Sequence, residues 1–243
     1  MPESVARSSK FGWVLTWPDA DVRIGICAGG PRKLGSRSVG SILREPPGSA
    51  GVPESRVAVD YRNLGLSGLK VSVIALGGWI TMGDRVDTTT VRKIVRLAVD
   101  RGVNLFDLAD SYAAGEAERV FGSLLGEFKR SDLVLSSKVA LPVGDGPNDR
   151  GLGRKHIMES LEQSLRNLGT DYLDLYFCHR EDPNTPLEET LFAMDDLIRQ
   201  GKVLYWGTSM WKPATLRRGW NLDFLLGSGL RGFRAPGAGH GLI

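Results

Sequence analysis

The sequence predicts an α/β protein of the parallel (β/α) TIM-barrel type, with a β-hairpin followed by about five of the eight strand–helix units of a complete barrel. Short apolar runs begin near residues 71, 105, 133, 172 and 203. A pattern with apolar residues on one helical face follows each of the first four runs, and the spacing suits repeated strand–helix units. The runs are apolar on both faces, as in a parallel sheet covered by helices.

Composition excludes several classes of protein. The chain has 243 residues and 42% hydrophobic content, which is ordinary for a globular protein. Two cysteines and three histidines do not provide a disulfide framework or a metal site. No apolar run is long enough to span a membrane, and no secretory signal is recognisable at the N-terminus. A cytoplasmic protein is therefore expected.

The positive charge is confined to the two ends of the chain. Residues 1–56 carry a net charge of +3, residues 57–211 carry −4 and residues 212–243 carry +4. A protein that binds nucleic acid needs a basic face on its folded part, and the central segment is mildly acidic. We therefore expect no nucleic-acid partner.

The first 56 residues show no sustained helical or strand periodicity. Gly, Pro, Ser and Arg dominate, which predicts a low-complexity, disordered N-terminal extension. Residues 21–27 (DVRIGIC) have the pattern of a single strand. The residues that follow, 29–33 (GGPRK), do not continue into the glycine pattern and helix of a dinucleotide-binding fold.

The regular pattern begins at residue 57. Residues 61–73 predict the hairpin, with its turn at 65–68. The strands are predicted at residues 71–76, 105–108, 133–139, 172–178 and 203–206. The helices are predicted at residues 88–99, 115–128, 154–168 and 186–200, the first with Asp87 as its N-cap.

The predicted barrel domain covers residues 57–215, and residues 216–243 form an irregular Gly- and Arg-rich tail. Five parallel strands leave the first and fifth strands as unpaired edges. The interior layers of a barrel take side chains from strands all around it, so five strands predict an incomplete interior.

Four ionisable side chains occur at or just after the carboxyl ends of consecutive predicted strands. They are Asp107, Tyr112, Lys138 and His179. Taken singly, each is better explained as a helix cap, a packing residue or a surface side chain. Because the carboxyl ends of parallel strands meet at one face of a barrel, four such residues in register favour an active site.

The residues around these four positions resemble the aldo-keto reductases, in particular the bacterial and potassium-channel β-subunit-like branch of that family. The resemblance covers about residues 60–215. The matching segments, in chain order, are YRNLGLSGLKVSVIALGGW, NLFDLADSY, LSSKV, YLDLYFCHR and YWGTSMW.

The resemblance implies an oxidoreductase that uses NADPH to reduce aldehydes or ketones. Tyr112 would protonate the carbonyl oxygen, and Lys138 would lower the pKa of the Tyr112 phenol. Asp107 would keep Lys138 charged and oriented, and His179 would orient the carbonyl and stabilise the developing oxyanion.

The resemblance also implies a cofactor site, with Gly78 and Trp79 after the first strand and Ser209 and Met210 after the fifth. Two substitutions depart from the family pattern. Leu108 replaces the small hydroxyl residue that normally follows the catalytic aspartate, and Met210 replaces a polar neighbour of the nicotinamide. Nothing matches the last three strands, so the barrel is interpreted as truncated at its C-terminal side.

Three functions follow as alternatives. The first is an NADPH-dependent carbonyl reductase with a small-molecule substrate. The second is a non-catalytic regulatory subunit of the same fold, and the third is a fragment without function. An exposed sheet edge also makes a homo-oligomer an open expectation.

Overall fold

The protein folds around one large sheet flanked by helices. The computed structural model describes the backbone of residues 14–17, 20–25, 59–65 and 67–226, and the side chains of residues 59–65 and 67–222. The strands of the described chain are β1 (Val14–Trp17), β2 (Ala20–Gly25), β3 (Tyr61–Asn63), β4 (Lys70–Ser72), β5 (Ile74–Gly77), β6 (Leu105–Asp107), β7 (Val134–Val139), β8 (Leu173–Cys178) and β9 (Val203–Thr208).

Five neighbouring strands, β5 to β9, are parallel and follow one another in chain order. A helix follows each of them: α1 (Thr88–Asp100), α2 (Glu116–Leu125), α3 (Arg154–Leu168), α4 (Leu187–Arg199) and α5 (Pro213–Leu226). This is the repeated strand–helix arrangement of a TIM-type barrel, with five consecutive units present. The α/β fold class predicted from the sequence is confirmed.

The predicted strand at residues 71–76 divides into two strands. Strand β4 ends at Ser72 and strand β5 begins at Ile74, with Val73 between them outside both strands. Strand β4 pairs with β3 in a separate antiparallel hairpin, while β5 joins the large sheet. The apolar run alone does not distinguish one long strand from two short strands with different partners.

Helix ends follow the expected chemistry. Asp87 is the N-cap of α1, because its Oδ1 accepts a hydrogen bond from the backbone N–H of Thr90 at 3.0 Å. At the other end of α3, Gly169 has φ +67°, a left-handed conformation that favours glycine. These ends fix where each helix stops and the next strand enters the sheet.

The apolar core of the described residues consists of two clusters, one on each face of the sheet. The larger one fills the space between the sheet and the helices, and includes Phe106, Leu135 and Leu161. The smaller one lies on the inner face and includes Leu105 and Leu175. The hairpin β3–β4 supplies its Leu64 and Val71 to the inner cluster and therefore covers that face.

The first edge of the parallel sheet is not bare, contrary to the expectation from five strands. Strand β2 pairs in parallel with β5, and β1 pairs in antiparallel with β2. Strand β2 overlaps the predicted strand at 21–27. Apart from strands β1 and β2, the first 56 residues lie outside the described residues, as does the end of the predicted tail after residue 226.

The fifth strand, β9, is the last strand in the order of the described sheet. None of the helices in the described part of the chain has the length and apolarity required to cross a membrane.

Removal of a buried core side chain tests this packing. Leu161 on α3 is fully buried, so Leu161→Ala is expected to lower the free energy of unfolding by about 2–5 kcal/mol. The measurement is equilibrium urea denaturation followed by circular dichroism.

Leu97→Ala is the matched control, because Leu97 lies on a helix with 56% of its surface exposed. That control is expected to change the unfolding free energy by less than about 0.5 kcal/mol. Equal losses in the two variants would contradict the assignment of Leu161 to the core.

Candidate active site

All eight residues predicted to form a site lie at or just after the carboxyl ends of the five parallel strands. The structure therefore places them at the carboxyl end of the sheet, where barrel enzymes build their active sites. Strand by strand from β5 to β9, they are Gly78 and Trp79, Asp107 and Tyr112, Lys138, His179, and Ser209 and Met210.

A buried ion pair lies at the centre of this carboxyl end of the sheet. The ammonium of Lys138 is 2.8 Å from the carboxylate of Asp107, and their side chains are only 9% and 16% exposed. Ser136, two residues before Lys138 on β7, donates a hydrogen bond from Oγ to Asp107 Oδ1 at 2.8 Å. The aspartate is thus held from two sides by neighbouring side chains of one strand.

The ammonium of Lys138 has three protons and three kinds of acceptor. Its Nζ donates to Asp107 Oδ2 at 2.8 Å, to the backbone oxygen of Leu108 at 2.7 Å and to the phenol oxygen of Tyr112 at 2.8 Å. Since the phenol oxygen accepts this bond, its own hydrogen stays available for another acceptor.

The loop between β6 and α2, residues 108–115, holds Tyr112 in place and is here named the Tyr112 loop. Directly after the tyrosine, Ala113 and Ala114 have φ values of 49° and 53°, which are unfavourable for residues other than glycine. Gly115 follows with φ 82°. The three left-handed residues turn the chain sharply into α2, and the surrounding packing must stabilise this turn.

Burial and neighbouring charges act in opposite directions on the pKa values of Tyr112 and Lys138. Burial raises the pKa of Tyr112, and the nearby Lys138 ammonium only partly opposes this effect. Lys138 thus acts in the expected direction, but the net pKa of the phenol lies above its ordinary value because removal from water disfavours the phenolate more. Tyr112 is a neutral phenol near pH 7.

Lys138 remains charged despite its burial. Burial on its own lowers the pKa of Lys138, but the carboxylate of Asp107 and the phenol of Tyr112 together raise it above the ordinary value. A cation next to a neutral phenol stabilises the phenolate that forms when the phenol gives up its proton.

His179 lies beside the tyrosine. The two rings meet edge to face, with their centroids 5.9 Å apart. Burial and the positive charges of Lys138 and Arg180 lower the pKa of His179 to about 4. The imidazole is therefore neutral near pH 7 and presents one N–H donor.

The four predicted cofactor residues differ in what holds them. Trp79 and Met210 are 46% and 77% exposed. Gly78 is buried, and a Cβ atom there would lie 2.6 Å from Leu108 Cδ2. A larger residue at position 78 would thus require the side chain of Leu108 to shift. Ser209 is half-buried, and its N–H donates to the backbone oxygen of Cys178.

Reasoning from the sequence missed two residues that organise the site. Ser136 supplies the hydrogen bond to Asp107 that Leu108 cannot supply. Glu118, fully buried on α2, accepts hydrogen bonds from Ser137 at 2.6 Å and from Asn167 at 2.9 Å. The available signal was the pair of serines in LSSKV, since a buried strand rarely carries hydroxyls without partners.

Comparison with known proteins agrees with this arrangement. Residues 73–223, more than half of the chain, match the family model described as the aldo/keto reductase family. Among solved structures, a thermostable aldo-keto reductase in complex with the inhibitor epalrestat is similar to this chain, with a TM-score of 0.59 and 33% sequence identity. That match covers 66% of this chain and 57% of the other.

Two curated relatives are named as a probable voltage-gated potassium channel subunit beta. The one from Arabidopsis thaliana is 45% identical over 164 residues, and the one from Oryza sativa subsp. japonica is 43% identical over 166 residues. These matches cover 67% and 68% of this chain but 50% of each relative. The chain thus spans about half the length of these relatives.

Neutralising one partner of the buried ion pair tests its importance. Asp107→Asn leaves the buried Lys138 ammonium opposite a neutral amide, and the unfolding free energy is expected to fall by about 3 kcal/mol. Urea denaturation at pH 7 measures this loss.

Glu159→Gln is the matched control, because it removes a carboxylate from an exposed ion pair with Lys155. It is expected to change the unfolding free energy by less than about 1 kcal/mol. Two variants with the same stability would show that the Asp107 carboxylate does not offset the burial of Lys138.

Proposed function

The chain belongs to the aldo/keto reductase family, and from this premise we propose that it is an NADPH-dependent reductase of aldehydes or ketones. The observation that carries the proposal is the contact between Lys138 Nζ and the phenol oxygen of Tyr112, at 2.8 Å. A neutral phenol that accepts a bond from a buried ammonium is equipped to donate its proton to a carbonyl oxygen.

In the proposed reaction, Tyr112 transfers its phenolic proton to the carbonyl oxygen as the C=O double bond becomes a C–O single bond. When bound, NADPH supplies a hydride to the carbonyl carbon, so the substrate gains two electrons and two hydrogens. The Lys138 ammonium stabilises the resulting phenolate, and a proton from solvent restores the phenol. Asp107 keeps the ammonium charged throughout.

His179 is proposed to orient the substrate. A neutral imidazole offers one N–H to the carbonyl oxygen and stabilises charge that develops there. Its low pKa, about 4, means that it holds this role without competing with Tyr112 as the proton donor near pH 7.

We propose that side chains at the ends of β5 and β9 contact one end of a dinucleotide cofactor. Trp79 and Met210 offer apolar surface for the flat nicotinamide ring, and Ser209 offers a polar group for its carboxamide. Among residues 59–65 and 67–222, we assign none to the pyrophosphate or the adenosine phosphate. We therefore propose that the described strands bind only the nicotinamide end of the cofactor.

A second candidate function is a non-catalytic subunit of the same fold. The observation that favours it is the similarity to the two plant relatives, each named as a probable voltage-gated potassium channel subunit beta. A fragment without function is the third candidate. For the first candidate we propose a small-molecule substrate, a cytoplasmic location and no nucleic-acid partner, and an oligomer of this chain is compatible with all of them.

Titration with NADPH distinguishes the first candidate from the other two. We expect micromolar NADPH to quench tryptophan fluorescence, because Trp79 lies at the proposed nicotinamide site. The variant Trp79→Phe is expected to lose most of this quenching. Trp220→Phe, which changes a half-buried tryptophan of α5, is expected to retain it.

Absence of quenching in the wild-type chain would overturn the NADPH proposal. A cooperative thermal melt measured by circular dichroism would then favour the regulatory subunit over the non-functional fragment. Quenching that is unchanged in Trp79→Phe would support cofactor binding but place it elsewhere.

Removal of the phenol tests the proposed proton donor. Tyr112→Phe is expected to lower kcat for carbonyl reduction by at least about 100-fold, since a general acid typically contributes that much. The matched control is Tyr172→Phe, which makes the same change next to the amino end of β8. The assay follows NADPH oxidation, and turnover of Tyr112→Phe at the wild-type rate would remove Tyr112 from the mechanism.

A further inference from the structure

We propose that Asp110 is a positioning residue that holds the Tyr112 loop in place while its carboxyl group is neutral and loosens the loop when that group ionises. This inference rests on the proposed function, because it concerns the placement of the proposed proton donor. Neither the sequence pattern nor the catalytic roles described above make use of Asp110.

Asp110 ties the Tyr112 loop to two neighbouring elements. Its Oδ2 accepts a hydrogen bond from Ser160 Oγ on α3 at 2.6 Å. Its backbone N–H donates to the backbone oxygen of Lys138 on β7 at 3.2 Å. Because Asp110 precedes Tyr112 by two residues, these bonds fix the chain just before the tyrosine.

The loop needs such anchoring because its other half is strained. Ala113 and Ala114 both have left-handed φ values, and conformations of this kind cost about 1–3 kcal/mol each. On the side of α2, Glu118 anchors the chain through Ser137 and Asn167. Asp110 is the corresponding anchor before the turn.

The surroundings of the Asp110 carboxyl favour its neutral form. The residue is only 7% exposed, and its Oδ1 is buried without a hydrogen-bond partner among the described residues. An ionised carboxylate with one bonded oxygen and one unbonded oxygen is poorly stabilised away from water. A neutral carboxyl group avoids most of this penalty.

Among the described residues, none forms an ion pair with Asp110. Buried Glu118 on α2 adds a second negative charge, whereas Ser160 on α3 and Tyr176 on β8 present neutral hydroxyls. Within the described part of the chain, Lys138 on β7 is the one cation that lowers the pKa of Asp110, and its three protons are directed to Asp107, Leu108 and Tyr112.

The direction of the pKa shift agrees with this geometry. Burial raises the pKa of Asp110 to about 7, and the negative charge of Glu118 adds to this effect. The hydrogen bond from Ser160, the backbone N–H of Ser111 and the charge of Lys138 oppose it without reversing it. The folded chain thus retains a proton that the unfolded chain loses near pH 4. The contribution of Asp110 to the free energy of unfolding is therefore lost as pH rises from about 4 to about 7 and does not change further above that.

The test compares the wild-type chain with Asp110→Asn, which has the shape of the neutral carboxyl and cannot ionise. We subtract the melting temperature of the wild type from that of Asp110→Asn at each pH. This difference is expected to increase by roughly 5 °C from pH 5 to pH 8. In the NADPH oxidation assay, wild-type kcat is expected to fall about tenfold from pH 6 to pH 8, the change in neutral fraction for a pKa of about 7. The Asn variant is expected to show no such fall.

Asp182→Asn is the matched control for stability. Its carboxylate lies in another loop, and although burial acts to raise its pKa, hydrogen bonds from Thr185 and from backbone N–H groups lower it overall. The effect of this substitution on the melting temperature is therefore expected to stay constant from pH 5 to pH 8. A control that followed the same pH course as Asp110→Asn would overturn the assignment to Asp110.

A second variant, Ser160→Ala, does not depend on the folding of Asp110→Asn. This substitution removes the hydrogen bond that stabilises the ionised carboxyl of Asp110. The stability and kcat of Ser160→Ala are therefore expected to decline at a higher pH than those of the wild type. An unmoved midpoint, or parallel pH curves for wild type and Asp110→Asn, would overturn the proposal. Absence of carbonyl reduction in every chain, with diverging stability curves, would overturn only the proposed function.

Discussion

The buried ion pair of Lys138 and Asp107 is the interaction on which the candidate site depends. An ammonium removed from water stays charged only with a close anion, and Asp107 supplies it at 2.8 Å. The fixed ammonium directs one proton to the phenol of Tyr112 and another to the backbone of the Tyr112 loop at Leu108. One charge therefore sets the position of the phenol oxygen and, in the proposed reaction, would stabilise the anion that the phenol becomes.

Strand β7 transmits this arrangement to the rest of the fold. Successive side chains of a strand point to opposite faces, so Ser136 and Lys138 face the site while Ser137 faces the helices. Ser136 holds Asp107 on one side, and Ser137 holds Glu118 of α2 on the other. The start of α2, and with it the strained turn after Tyr112, is thus fixed to the strand that carries the lysine.

The described strands contribute unequally to the two halves of the proposed reaction. Residues from β6, β7 and β8 and the loops that follow them supply every group that we assign to proton transfer and carbonyl orientation. The ends of β5 and β9 supply exposed surface suited to a nicotinamide. This division agrees with a chain that spans about half the length of its plant relatives, because barrel enzymes draw their sites from the ends of several strands around the ring.

The amino-acid sequence by itself determined the order of strands β5 to β9 and helices α1 to α4, and the end of the sheet where Asp107, Tyr112, Lys138 and His179 lie, because apolar periodicity and strand ends are local properties. Tertiary structure alone decided the break between β4 and β5, the pairing of β2 with β5 and the bond from Ser136 to Asp107. It also decided that the pKa of Tyr112 rises. Each of these outcomes depends on which distant groups meet and how much water they exclude, and no local pattern records either quantity.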